Sequence, residues 1–420
     1  MTLSSNSGIS RQPGFIAFLG ARLAAVFAMQ IQAVVVAWQL YDMTHDAMSL
    51  AYAGLAQFLP MVILLLPAGD LIDRFPRKLI LMLSWLLQWL CSGALAMLSL
   101  LPHSSLTPFY LVLVLFGCSR AFAGPALQSL LPQIVPHHQL AQAIAINSVI
   151  MKVATIAGPL LGGVLYIWGA SSAYLVCFAC TLAALLAMLK VPVRHSEIDK
   201  PAPDATESSS WQRFAAGVRY IASRPIILGA ISLDLFAVLL GDVVALLPIY
   251  AQHILLTGPS GLGALRSASA VGAVLMGVYL SMRAFDRHVG LVMFSAVAVF
   301  GVCNLVFAVS SLFWLSWLAL LIAGAADMIS VYVRSTLIQL ATPNAMRGRV
   351  NAVNMLFIGS SNELGEFRAG TSAAWLGAET TAIAGGITTL VVVLGWMVLF
   401  PVLRKVDRFE HADVSKQRPQ

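Results

Sequence analysis

Charge is scarce in this chain. Of 420 residues, 25 are Lys or Arg and 18 are Asp or Glu, 10% in all, against roughly 25% in soluble globular domains. So few charges cannot cover a water-facing surface. With 59% hydrophobic residues and a mean hydropathy of +0.85, the chain reads as a membrane protein.

Other scarcities narrow its chemistry. The five cysteines, Cys91, Cys118, Cys177, Cys180 and Cys303, fall inside apolar runs, where a thiol acts as a small hydrophobe. Cys177 and Cys180 form a CxxC without a second ligand pair, so packing is favoured over redox or metal chemistry. No nucleophile constellation, metal set or phosphate loop stands out. The nearest cluster, His137 and His138, is two adjacent residues on a short loop and makes no ligand set. An enzyme is therefore not expected, and neither a metal nor a cofactor. The net charge of +7 is dispersed among short loops and not gathered on one polar domain, which argues against nucleic acid and for lipid headgroups.

What the chain does have is apolar runs of spanning length. A hydrocarbon core of about 30 Å needs roughly 20 residues of helix. Runs between polar or Pro/Gly breaks predict helices over 15–41, 48–68, 79–100, 108–131, 139–167 and 171–190, then 225–250, 261–283, 288–310, 312–337, 350–374 and 378–402. The expectation is an all-α membrane protein of twelve spans in two six-helix bundles. The segment MTLSSNSGISRQPG lacks a cleavable-signal pattern and is expected to stay attached.

The expected division is an N-terminal bundle, 1–190, a linker, 191–224, and a C-terminal bundle with its tail, 225–420. The linker is Pro/Ser-rich and ends in an amphipathic stretch. Trp211, Phe214, Val218 and Ile221 share one helical face there, and Arg213, Arg219 and Arg224 reach toward headgroups.

Loop charge sets the orientation. Arg74, Arg77, Lys78, Arg194, Lys200, Arg213, Arg219, Arg224, Arg283, Arg287, Arg347, Arg349, Arg404, Lys405 and Arg408 fall on one side. The alternate loops contain neither Lys nor Arg, so both termini are expected in the cytoplasm.

The halves also repeat. At an offset of about 207 residues, SLLPQIVPHHQLAQAIAIN overlays TLIQLATPNAMRGRVNAVN, matching Leu130 to Leu337, Pro136 to Pro343, Ala145 to Ala352 and Asn147 to Asn354. GPLLGG overlays GEFRAG at the same offset. A parallel repeat of this kind suits a transporter with two related halves.

GDLIDRFPRK, expected in the loop after the second helix, resembles the G-x-x-x-D-R-x-G-R-K/R signature of the major facilitator superfamily. Gly69, Asp73, Arg74, Arg77 and Lys78 match it, while Pro76 stands where the family usually has Gly. Arg120 and Gly124 fit the R-x-x-x-G core of the family's fourth-helix motif, with Ala123 in place of the frequent Gln. Gly158, Pro159, Gly162 and Gly163 resemble the G-P-x-x-G-G part of the fifth-helix motif associated with exporters and antiporters; the upstream Gly is Ala154 here.

The first helix and the TPNAMRGRVNAV segment are similar to the enterobactin-exporter-like branch. The resemblance implies a bacterial inner-membrane exporter of a siderophore or other small molecule, acting by alternating access, with the GDLIDRFPRK region latching one conformation. A polyspecific drug exporter is the rival within the same class: Trp38 and Trp314 would suit flat cations, Arg22 and Arg120 an anionic catecholate. A monomer is expected.

Intramembrane charges are the residues most open to function. Arg120 and Asp327 occupy equivalent positions of the repeat. Asp234 and Asp242, eight apart, are predicted on one face of the seventh helix and are candidates for protonation coupled to transport. Arg334 is about 10 Å along the axis from Asp327, too far to pair with it. Glu363 and Glu366 share a face, whereas Arg368 lies about 200° round from Glu366 and needs a partner elsewhere. For Arg22, Lys152 and Arg368, structural pairing and substrate contact stay open. The glycines of GPLLGG are expected to let helices approach closely, with Pro159 bending its helix.

Overall fold

The computed structural model describes residues 14–101, 105–136, 139–192, 210–283 and 285–409. Among them the regular structure is helical, without strands. The N-terminal half holds α1 Phe15–Thr44, α2 Ala47–Arg74, α3 Arg77–Leu98, α4 Leu106–Ile134, α5 Leu140–Leu165 and α6 Ala170–Leu189. After α7, Ser210–Ala222, come α8 Pro225–Gly241, α9 Leu247–Ile249, α10 Gly258–Met282, α11 Val289–Val309, α12 Phe313–Ala341, α13 Asn344–Leu376, α14 Ala378–Leu399 and α15 Pro401–Arg404. Helix is what an apolar chain must form where no water can satisfy its backbone.

Eleven helices among the described residues are long and apolar enough to cross a membrane, counting Pro225–Ile254 as one. The 33-residue α13 is not among them, because Arg347, Arg349, Glu363, Glu366 and Arg368 lower its hydropathy.

The chain forms two compact units: residues 1–39 with 56–208, and residues 40–55 with 209–420. The first is centred on Phe15, Phe18 and Ala21 of α1, Leu81 and Trp85 of α3, Ala126 and Leu130 of α4, and Met188 of α6. The second is centred on Ile227, Ile231 and Leu233 of α8, Met293 and Phe294 of α11, Val333 and Leu337 of α12, and Val350 and Val353 of α13. Around both, large apolar side chains such as Leu83, Leu90, Leu186, Leu394 and Val398 are exposed, as a lipid-facing surface requires.

Two glycines turn the chain directly into long helices. Gly169, at φ +96°, precedes α6, and Gly377, at φ +84°, precedes α14. These left-handed conformations strain any residue with a Cβ. They fall one residue from the 207-residue offset, so the connections into α6 and α14 are built alike.

Three local features depart from the sequence reading. GDLIDR is helical and ends α2, leaving only Phe75 and Pro76 as a connection. Pro76 stands as the N-cap of α3 at φ −56°, a value proline favours. The amphipathic stretch forms α7, but it docks on protein: Ile221 is buried, Tyr220 Oη donates to Ala341 O at 2.8 Å, and a Cβ at Gly217 would lie 2.8 Å from Arg349 O. Trp211 and Val218, assigned to the same face, stay exposed. Finally, the seventh helix is interrupted after Gly241.

Candidate functional site

In the first unit, α5 lies against α1 through small residues. A Cβ at Gly158 would come within 2.5 Å of Gln30 Cβ, and one at Gly162 within 3.0 Å of Ile31 O. Gly163 is buried and Pro159 lies inside α5. Toward the start of the same pair of helices, Arg22 Nε donates to Met151 Sδ at 3.3 Å. Half-buried Arg22 thus meets a soft, weak acceptor, one residue before exposed Lys152. Arg120 of α4 is half-buried and engaged by neighbours.

The basic residues of the GDLIDRFPRK segment serve helix ends. Arg74 closes α2, where a cation complements the dipole. Arg77 and Lys78 open α3, where a cation opposes its own helix. Both reach other helices' carbonyl ends instead. Arg77 Nη1 donates to Ser129 O of α4 at 3.3 Å, and Lys78 Nζ to Leu189 O of α6 at 3.3 Å and Val191 O at 2.7 Å. A Cβ at Gly69 would meet nothing within 4 Å. The side chain of Asp73 lies outside the described residues, as do His137 and His138.

In the second unit, Asp234 of α8 and Arg334 of α12 form an ion pair, their side chains 8% and 3% exposed. Sequence distance hid this pairing. Arg334 Nε has no hydrogen-bond partner among the described residues.

Asp234 and Asp242 do not share a helical face, since α8 ends at Gly241 and Asp242 is extended at φ −65°, ψ 136°. Asp242 Oδ1 accepts from Val244 N at 3.2 Å, starting the 3₁₀ turn Val244–Leu246. The carbonyls freed at the interruption are then met from two helices. Asn304 Nδ2 of α11 donates to Gly241 O at 2.9 Å, while Thr389 Oγ1 of α14 donates within its own helix to Gly385 O at 3.0 Å and lies 3.4 Å from Ala237 O. Arg368 of α13 donates through Nε to Leu239 O at 2.9 Å and through Nη2 to Asp242 O at 3.2 Å. The partner that Arg368 needed on another helix is the broken backbone of α8. Irregular backbone at membrane depth is tolerable where protein groups satisfy it in this way.

Asn304 and Thr389 were not singled out from sequence. The interruption had a local signal in Gly241 and Pro248 within one apolar run. Asp327, Glu363 and Glu366 are each engaged by neighbours. Cys177 and Cys180 are free, and Cys177 Sγ donates to Ala28 O at 3.4 Å.

Helices of spanning length, the motif segment and charges held between helices point to a class, and comparison with known proteins agrees. Residues 7–419 match the transmembrane secretion effectors, and the chain belongs to that family, within the major facilitator superfamily of membrane transporters.

Among curated relatives, the enterobactin exporter EntS of Citrobacter koseri is 26% identical over 402 residues, covering 94% of each chain. EntS of Salmonella choleraesuis is 26% identical over 408 residues, covering 96% of this chain and 95% of that one. Among solved structures, a POT family transporter in complex with 5-aminolevulinic acid superposes with a TM-score of 0.73 at 12% identity, covering 95% of this chain and 98% of that one. That likeness is one of fold. The protein is thus a multi-pass membrane transporter with a small-molecule substrate.

Proposed function

We infer that this protein is a bacterial inner-membrane exporter of a siderophore or similar small molecule, driven by proton entry and working by alternating access. The observation that carries the reading is the end-to-end similarity to enterobactin exporters, 94% of each chain. The exporter-type glycines of α5 agree with it. Their close approach to α1 leaves little room for side chains at positions 158 and 162.

In this reading α13 is a further span, the eleventh in chain order, and it brings the count to twelve. At about 50 Å it is long enough, and Arg368 spends its charge on carbonyls inside the protein, as an intramembrane cation must. Two bundles of six then follow, divided at 1–190, 191–224 and 225–420, with both termini in the cytoplasm and the monomer as the working unit in lipid. Gly69, Asp73, Arg74, Arg77 and Lys78 form a conformational latch. The open space beside Gly69 supports this, because a glycine that nothing crowds in one state is free to be approached in another.

Asp234, Asp242, Asp327, Glu363 and Glu366 are the acidic candidates for coupling. Arg22 and Arg120 are the cationic candidates for an anionic substrate, with Arg368 a positioning residue. The alternative is a polyspecific drug exporter, whose substrates are mostly lipophilic cations. Thermal unfolding of the purified protein with catecholate siderophores and with cationic dyes separates the two. Stabilisation by siderophores, lost in Arg22→Gln and Arg120→Gln, is the expected result; stabilisation by dyes alone would favour the alternative.

A further inference from the structure

The second unit contains residues 40–55, the end of α1, the turn His45–Asp46 and the start of α2. Here Tyr41 and His45 meet His253, which lies in a π-helical turn, Tyr250–Ile254, after α9. The Tyr41 and His253 rings are 5.7 Å apart at 80°, and the His45 ring is 6.2 Å from each. Beside them Gln252 Nε2 donates to Asp42 Oδ1 at 3.2 Å.

Both sides of this contact are strained. His45 is at φ +50° and Leu256 at φ +52°, two of the three non-glycine residues with positive φ among those described. Such conformations cost on the order of 1–3 kcal/mol each and concentrate at switch regions. Single π turns are likewise rare and cluster at functional sites.

We propose that His45 and His253 are a proton-binding pair, and that protonating both releases the α1–α2 turn from the π-helical segment. Histidine is the side chain that changes charge between about pH 5 and 8. As neutral rings the two pack edge to face with Tyr41. As two imidazolium ions about 6 Å apart they repel, and release lets both strained segments relax.

The nearby acids are Asp42 and Asp46 at the turn and Glu379 at the start of α14. Asp42 is held by Gln252, and Asp46 Oδ1 accepts from Met48 N at 2.9 Å, capping α2. Glu379 interacts electrostatically with Tyr250 of the π turn. The carboxylates of the turn keep their charge, but these bonds orient them toward Gln252 and the α2 backbone, so they offset only part of the repulsion between the two rings. The proposal rests on the transporter reading and deepens its proton coupling, giving protons a place to act besides the intramembrane carboxylates.

Hydrogen–deuterium exchange tests it without substrate or gradient. In the full chain, peptides covering 40–55 and 250–257 are compared at pH 5.5 and 7.5 after correction for intrinsic exchange rates. Roughly threefold faster exchange at pH 5.5 is expected, given the repulsion of two like charges at this distance in a solvent-exposed site. The difference should vanish in H45Q/H253Q, and H45K/H253K should exchange fast at both pH values. Unchanged protection in α3 peptides confirms that each variant is folded. Equal protection of the parent at both pH values, or the same pH response in H45Q/H253Q, would overturn the proposal. Failure of proton-driven export with this pH response intact would count against the coupling reading alone.

Discussion

A buried arginine needs an anion, and Arg334 has Asp234. Removing one member leaves an uncompensated charge, whereas removing both can be close to neutral. Asp234→Asn is therefore expected to cost about 3–5 kcal/mol, read as a large fall in thermal midpoint in detergent. The double variant D234N/R334M should recover most of that loss. A single variant as stable as the parent would show that the pair carries little. At the same scale, Lys78→Met removes two charge-assisted hydrogen bonds from the end of α6. Because Lys78 is only half-buried, the expected loss is about 1 kcal/mol.

Among the elements, α8 is the one whose continuity is broken and repaired. Gly241 stands where a Cβ would collide with Thr389 Oγ1, so Gly241→Ala is expected to destabilise by about 1–3 kcal/mol through overpacking. Arg368→Met leaves Leu239 O and Asp242 O without that donor, and about 1–3 kcal/mol is again expected. Faster hydrogen exchange around 239–247 in that variant, with α10 unaffected, would locate the effect at the interruption. For the α2–α3 connection, Asp73→Asn should slow transport in vesicles while leaving membrane insertion intact. Unchanged kinetics would remove Asp73 from the latch.

At the scale of the whole molecule, the helices were legible because run length is a one-dimensional property. The predicted run 288–310 became Val289–Val309, and 225–250 began at Pro225 as expected. Gly169 and Gly377, both at positive φ, turn the chain into α6 and α14 close to the offset read from the sequence. Side-chain partnership was not legible, because it depends on how each helix is rotated about its axis. Asp234 and Arg334 are far apart in sequence, and the donors at the α8 interruption come from α11 and α13. The eight-residue spacing of Asp234 and Asp242 misled because it assumed one unbroken helix.

The central claim is proton-driven export, and one measurement addresses it directly. Purified protein reconstituted in liposomes is given a catecholate siderophore and an imposed pH gradient, and siderophore flux is followed with proton flux. The account predicts saturable siderophore movement against the direction of proton flow, with neither flux in protein-free liposomes. Siderophore movement indifferent to the gradient, or none at all, would contradict it.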